Sequence, residues 1–361
     1  MISLEVTDDD ADVGTADVNT LVKNLPPVIE SVASSSAGCG GAHESEQVTV
    51  MAQFTDVGTL DTHTATIDWN DGKPVQAETI TEFNGSGTAT ATHAYASGGI
   101  YTATLTVIDD DSGQATDITF AVVSGVGLDP NGVLTVIGTD VADHVEINQT
   151  GDGSVRVHAD FVSDLFRDFS TADVTEILVI LCGGSDHATI AGDVDLPSLI
   201  DGGDGDDFSN AGRGPSLQLG GAGDDKLIGG AGRNVLIGGT GKDHLISQSD
   251  EDILVAGKTI FDLDSSAITP MAIDVLRSIR GEWASNKSLA DRVANLSGSG
   301  SGGLDGLNYL INGSTVFNDG EEDFLNSGKD ADWYLADPDE DKFISFKDGV
   351  DILALVDSIV I

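Results

Sequence analysis

Three rhythms of apolar and polar residues organise this chain of 361 residues. Over residues 48–123, short Thr- and Val-rich runs (48–54, 64–69, 87–92 and 101–107) recur between Gly and Asp punctuation. Such runs predict strands, and strands of this length, spaced about ten residues apart, predict a β-sandwich. From Gly202 the rhythm changes to nine, with an apolar residue eighth in successive units at Leu227, Leu236, Leu245 and Leu254. The third rhythm is helical. Thr269 as N-cap and Pro270 at the first turn open a helix whose stripe is Ile268, Met271 or Ala272, Val275 or Leu276, Ile279 and Trp283. A shorter helix is expected over 288–296. The period of nine then returns, with Leu307, Val316, Leu325, Tyr334, Phe343 and finally Ile352 at the apolar position.

The nine-residue units run without a gap over 202–255 as Gly-Gly-x-Gly-x-Asp-x-apolar-x, and units 220–228 and 238–246 match at every position. Glycine supplies left-handed turns and lets carbonyl oxygens crowd inward. Asp adds a hard anionic oxygen, and the two together form the donor set that calcium prefers. This pattern resembles the repeats-in-toxin (RTX) family, which implies a parallel β-roll with Ca2+ between its turns. Alternate units stack in one sheet, so residues 18 apart lie about 4.8 Å from one another. Asp207, Asp225 and Asp243 are therefore expected in one column. Left bare, neighbouring carboxylates there repel by roughly 1–3.5 kcal/mol, and calcium reverses the sign. The roll is accordingly expected to be disordered or molten without the ion.

The candidate ligands are Asp207, Asp225 and Asp243 with the turn glycines Gly203, Gly205, Gly221, Gly223, Gly239 and Gly241. The opposite column reads Ser216, Asn234, Asp252, of which Asn234 and Asp252 are candidate ligands, so two good sites are expected on the first side and at most one poor site on the second. After the helices, Asp305, Asp323 and Asp341 repeat the sixth position with few glycines, a weaker candidate column. Outward positions show the reverse asymmetry. One sheet presents Leu217, Leu219, Val235, Ile237, Ile253 and Val255, and a flat apolar face of that kind has to be covered. Either the helix at 270 or a neighbouring molecule can do so. Upstream, 136–145 and 183–190 read as degenerate copies of the same turn, which puts 126–200 in the N-terminal part of the solenoid.

Within the sandwich, Asp68, Trp69, Asn70, Asp71 and Gly72, with His93, Tyr95, Gly99, Tyr101 and the run 105–109, resemble the polycystic-kidney-disease (PKD) domain. The resemblance implies an immunoglobulin-like, non-catalytic spacer or adhesion module, usually extracellular. Residues 4–10 and 15–22 repeat the pattern of 105–111 and 115–122, like the last hairpin of a preceding sandwich. A lone hairpin is marginal in water. It belongs either to a longer multidomain chain or to a subunit joined by strand addition. The region from 283 to 296 with its Gly/Ser and Asp-rich sequel resembles the C-terminal part of large planctomycete surface proteins.

Charge narrows the partners. Acidic residues number 61 against 16 basic, a net charge of −45, which argues against nucleic acid and anionic membranes. No apolar run reaches the length of a membrane span. The first eight residues have no signal-peptide character, so export is expected through a C-terminal signal, for which 352–361 is a candidate, or an upstream portion. Cys39 and Cys182, placed in different domains, are expected to stay unbonded. His43 and Glu44 do not begin a His-Glu-x-x-His motif, and 183–187 lacks the last Gly of Gly-x-Ser-x-Gly, so no enzyme is expected. Acidic clusters at 8–10 and 109–111 read as loop-end calcium or solvent sites.

The expected fold is all-β: an immunoglobulin-like sandwich (25–124) after an orphan hairpin (1–24), then a parallel β-roll or solenoid. The solenoid divides into N-terminal strands (125–201), the calcium roll (202–257), a helical insertion (258–297) and a degenerate capped end (298–361). The expected role is a secreted, calcium-dependent subunit of an extracellular filament, matrix or surface layer. The alternative is an adhesive or export module of a longer cell-surface protein. Self-association is expected through the 1–22 hairpin and the apolar face at Leu217, Val235, Ile237, Ile253 and Val255.

Overall fold

The structure, a computed structural model, describes residues 2–7, 13–18, 23–248, 250–300, 308–347 and 349–356. Asp305, Leu307, the acidic cluster at 8–10 and the last five residues lie outside them. The chain is all-β apart from two short helices, as expected. It forms two compact units, one of residues 1–32, 50–91 and 104–118, the other of 33–49, 92–103 and 119–361.

In the first unit, His63–Asp68 pairs antiparallel with residues 104–109, and Thr79–Phe83 with residues 86–90. Alternate residues are buried as the sandwich pattern requires, among them Val50, Ala52, Phe54, Ala65, Ile67, Trp69, Leu105 and Val107. Ile2–Thr7 and Val13–Val18 form an antiparallel hairpin that makes a separate two-stranded sheet.

The second unit is a solenoid. One sheet stacks Val133–Ile137, Glu176–Ile180, Ser198–Asp204, Ser216–Ala222, Asn234–Thr240, Ile253–Val255, Trp333–Ala336 and Ile352–Leu355 in parallel register. The other stacks His144–Gln149, His187–Ile190, Phe208–Asn210, Lys226–Ile228, His244–Ile246, Phe324–Asn326 and Lys342–Phe343. Between them lie Leu227, Leu236, Leu245, Leu254 and Leu325, all fully buried. In the first two nine-residue units the core position is polar, and Ser209 and Gln218 satisfy each other there (Oγ to Oε1, 2.6 Å). Tyr334, Phe343 and Phe346 meet edge to face, with centroids 5.4–5.7 Å apart, at the far end of this core.

Helix α1 (Pro270–Trp283) starts at Thr269, whose hydroxyl accepts from Ala272 N, and α2 (Leu289–Leu296) starts at Ser288. Ile273, Leu276, Ile279 and Trp283 of α1 and Leu296 of α2 bury the apolar sheet face formed by Leu217, Leu219, Val235, Ile237, Ile253 and Val255. Of the alternatives Met271 and Ala272 for that stripe, Met271 is 77% exposed and Ala272 half-buried, and Ile273 takes the inward place. The roof is also pinned by polar contacts. Glu176 receives Arg277 (2.8 Å) and Arg280 (2.7 Å), and Trp283 Nε1 donates to Glu251 O (2.8 Å). Leu217, Val235, Ile237, Ile253 and Val255 therefore cannot serve self-association, because the chain's own helices already remove them from water.

The cysteines correct a second expectation. Cys39 and Cys182 form a disulfide across 143 residues of sequence. Cys39 lies in the solenoid unit, where its backbone N–H donates to Ser265 O (2.7 Å). The expectation of unbonded thiols failed because segment 33–49 groups in space with residues 119–361, far along the chain. Closing so long a loop removes about 5 kcal/mol of unfolded-state entropy in the chain-entropy account.

Candidate metal centre

The sixth position of each unit follows the turn and precedes a strand, so parallel stacking puts these residues one above another. Asp207, Asp225 and Asp243 form one column, linked in a single manner. Asp207 N–H donates to Asp225 Oδ1 (2.8 Å), and Asp225 N–H to Asp243 Oδ1 (2.9 Å). The same link continues from Asp243 to Asp323 (2.7 Å), 80 residues on, and from Asp323 to Asp341 (3.1 Å). It also runs upstream, from Asp143 to Asp186 (2.7 Å) and from Asp186 to Asp207 (2.7 Å).

Each link uses one carboxylate oxygen. The second oxygens of Asp186, Asp207, Asp225, Asp243 and Asp323 are buried with no hydrogen-bond partner. Burial, with neighbouring carboxylates adding to it and the backbone N–H opposing it, pushes these acids up. Asp225 and Asp323 reach about 9, Asp186 about 8, Asp243 about 7 and Asp207 about 6. A row of half-satisfied buried carboxylates costs stability unless a cation completes it.

The backbone leaves room for one. A Cβ on Gly220 would meet Gly238 O at 2.3 Å and Asp225 Oδ2 at 2.4 Å, and one on Gly202 would meet Gly220 O at 2.4 Å and Asp207 Oδ2 at 2.5 Å. Gly202, Gly220 and Gly238 thus keep open a cradle lined by a carbonyl and the orphaned carboxylate oxygen. Gly203, Gly205, Gly221, Gly223, Gly239 and Gly241 all have φ between +95° and +134°, a conformation in which side chains are strained. Packed carbonyl and carboxylate oxygens with no nitrogen or sulfur suit a hard divalent cation.

The opposite column is different. Ser216 Oγ donates to Asn234 Oδ1 (2.7 Å). Asn234 Nδ2 donates to Gly232 O (2.6 Å), Gly230 O (3.3 Å) and Asp252 Oδ1 (3.1 Å). An amide nitrogen therefore sits beside Gly229, where the first column has a free carboxylate oxygen. Below it, Asp252, Asp332 and Asp351 repeat the acidic link (2.9 and 3.2 Å), and Asp252 and Asp332 each keep an orphaned Oδ2.

Several of these positions escaped the nine-residue frame. Asp143 and Asp186 stand 43 and 21 residues above the next member of the column, and the first of these spacings holds the inserted strands Ser154–Ala159 and Phe166–Ser170. The Asp-His pairs at 143–144, 186–187 and 243–244 were the available signal. Asp332 lay in the resumed frame, but its partner Asp252 is 80 residues away.

Residues 24–123 match the PKD domain. Residues 198–215 and 219–254 match the RTX calcium-binding nonapeptide repeat (4 copies). No curated protein matches the chain. This is a calcium-binding chain in which a PKD domain is followed by RTX nonapeptide repeats.

Proposed function

We propose that the chain is a secreted, calcium-dependent structural protein whose solenoid becomes rigid when calcium fills the carboxylate columns. The observation that carries this reading is the row of orphaned Oδ2 atoms on Asp186, Asp207, Asp225, Asp243 and Asp323. Asp207, Asp225 and Asp243, with the carbonyls around Gly202, Gly220 and Gly238, would hold the ions. Asp323 and Asp341 would extend the series, and the Asp252 and Asp332 pair would form the weaker second side. Calcium supplies charge neutralisation here, and the residues supply a fixed oxygen cage. PKD domains and RTX repeats are typical of extracellular or surface proteins. No helix among the described residues is long and apolar enough to cross a membrane.

Within that role, a self-assembling subunit of a filament, matrix or surface layer is the finer reading, and it rests on the hairpin of Ile2–Thr7 and Val13–Val18. A two-stranded sheet is marginal alone, so a strand from another molecule would stabilise it. The calcium reading is tested by near-UV circular dichroism with calcium and with a chelator. Loss of tertiary signal on chelation, reversed by calcium and not by magnesium, is expected. An unchanged spectrum would overturn it. Electron microscopy of the full chain and of a variant lacking residues 1–22 tests assembly. Polymers that survive the deletion rule out strand donation, and monomers in every condition rule out the filament.

A further inference from the structure

The outward face of the solenoid's polar sheet carries a cluster that belongs to neither carboxylate column. On His144–Gln149, Val145 and Ile147 point into the core, which turns His144 and Glu146 outward on one side. On the antiparallel neighbour Ser154–Ala159, Val157 and Ala159 are buried and His158 faces out, directly opposite Glu146 in register. One nitrogen from each of His144 and His158 and a carboxylate oxygen of Glu146 all lie within 4.8 Å of one another.

Three details point beyond a chance grouping. His144 Nε2 already meets Glu146 Oε1 at 3.2 Å. His158 Nδ1 is shielded from solvent and has no hydrogen-bond partner among the described residues. His187, in register with His144 on the parallel neighbour, stacks on its ring (centroids 4.8 Å apart, 27° between planes) and so restricts its orientation. Arg156, two residues before His158 on the same strand, is committed to Asp168 through two 2.7 Å contacts.

We propose that His144, His158 and Glu146 form a zinc site, separate in position and in chemistry from the calcium columns. Two imidazoles and one carboxylate are a donor set for a borderline cation such as Zn2+, whereas calcium takes six to eight oxygens. Ligands at about 2.0–2.2 Å from zinc are brought together by side-chain rotation, with both strands fixed by the buried residues beneath them. Three protein ligands leave one coordination position open to water or to a donor from another molecule.

Calorimetric titration of the calcium-loaded full chain with Zn2+ tests this. One equivalent is expected to bind in saturating calcium, with affinity reduced at least about tenfold in His158→Gln and His144→Gln. Glu146→Gln, on an exposed side chain that cannot disturb the core, is expected to weaken zinc in the same way. His244→Gln, further along the same face, is expected to leave it unchanged. Near-UV circular dichroism of each variant with calcium checks that the solenoid is intact. The proposal is overturned if the wild-type chain takes up no zinc, if calcium displaces it, or if Glu146→Gln and His158→Gln bind zinc as the wild type does.

Discussion

Within residues 202–255 the two carboxylate columns of the solenoid share one backbone plan and differ at two residues. Where the first column has Asp207 and Asp225, the second has Ser216 and Asn234. The first leaves a buried oxygen free at Asp186, Asp207, Asp225, Asp243 and Asp323. The second closes its upper part with neutral hydrogen bonds, Ser216 to Asn234 and Asn234 to Gly230 and Gly232. The same turn can thus be completed by an ion or by an amide. Only the ionic version makes folding conditional on what is outside the protein. The sheets behind the columns diverge in parallel. The second column's sheet is apolar and roofed by α1 and α2, while the first column's sheet faces outward with Lys226 and His244 exposed.

The largest expected effect comes from removing the roof. Trp283 is fully buried, near Trp333 (centroids 6.2 Å apart) and beneath Arg292 (4.4 Å). Trp283→Ala should cost about 3–5 kcal/mol of calcium-loaded stability in denaturant titration and expose the apolar sheet to self-association. A loss under 1 kcal/mol by the same principle would mean that the roof is dispensable. Next is Asp225→Asn, which removes a charge from the middle of the first column. Calcium affinity should fall at least about tenfold, while Asn234→Ala, in the second column, should leave it nearly unchanged. Equal losses would erase the difference between the columns.

The reverse exchange is a sharper test. Asn234→Asp places a carboxylate against Asp252, so the chain should take up one additional calcium in equilibrium dialysis and be less stable than wild type in chelator. An unchanged stoichiometry would show that the amide is not what closes that site. The smallest expected change in the chelated state belongs to Gly220→Ala. Its methyl would crowd Gly238 O and Asp225 Oδ2, so calcium should weaken at the levels around Asp225 with little change in the chelated state. An affinity equal to wild type would remove the cradle from the argument.

Much of this was legible because the period of nine is local. Asp207, Asp225 and Asp243 fall into a column once strands 18 residues apart are stacked, and Leu227 and Leu245 enter the core for the same reason. The N-cap Thr269 was equally local. What escaped depended on insertions. The hairpin after Gln149 moved Asp143 out of phase with Asp186, and the helical segment carried Asp332 far along the chain from Asp252. The open choice of what covers the apolar face and the missed bond between Cys39 and Cys182 had one origin. Both turn on which distant surfaces meet.

By itself the sequence determined the repeat, the ligand chemistry and the imbalance between the two sides, since each is set by residue identity at a fixed spacing. Tertiary structure decided that the roof comes from α1 and α2, that Cys39 and Cys182 join, and that the column runs on through Asp323 and Asp341. It also decided that His144, Glu146 and His158 share a patch. Register within a repeat follows from side-chain alternation, which any short window reveals. Closure across 80 or 143 residues follows from burial of complementary surfaces, and no local period encodes it.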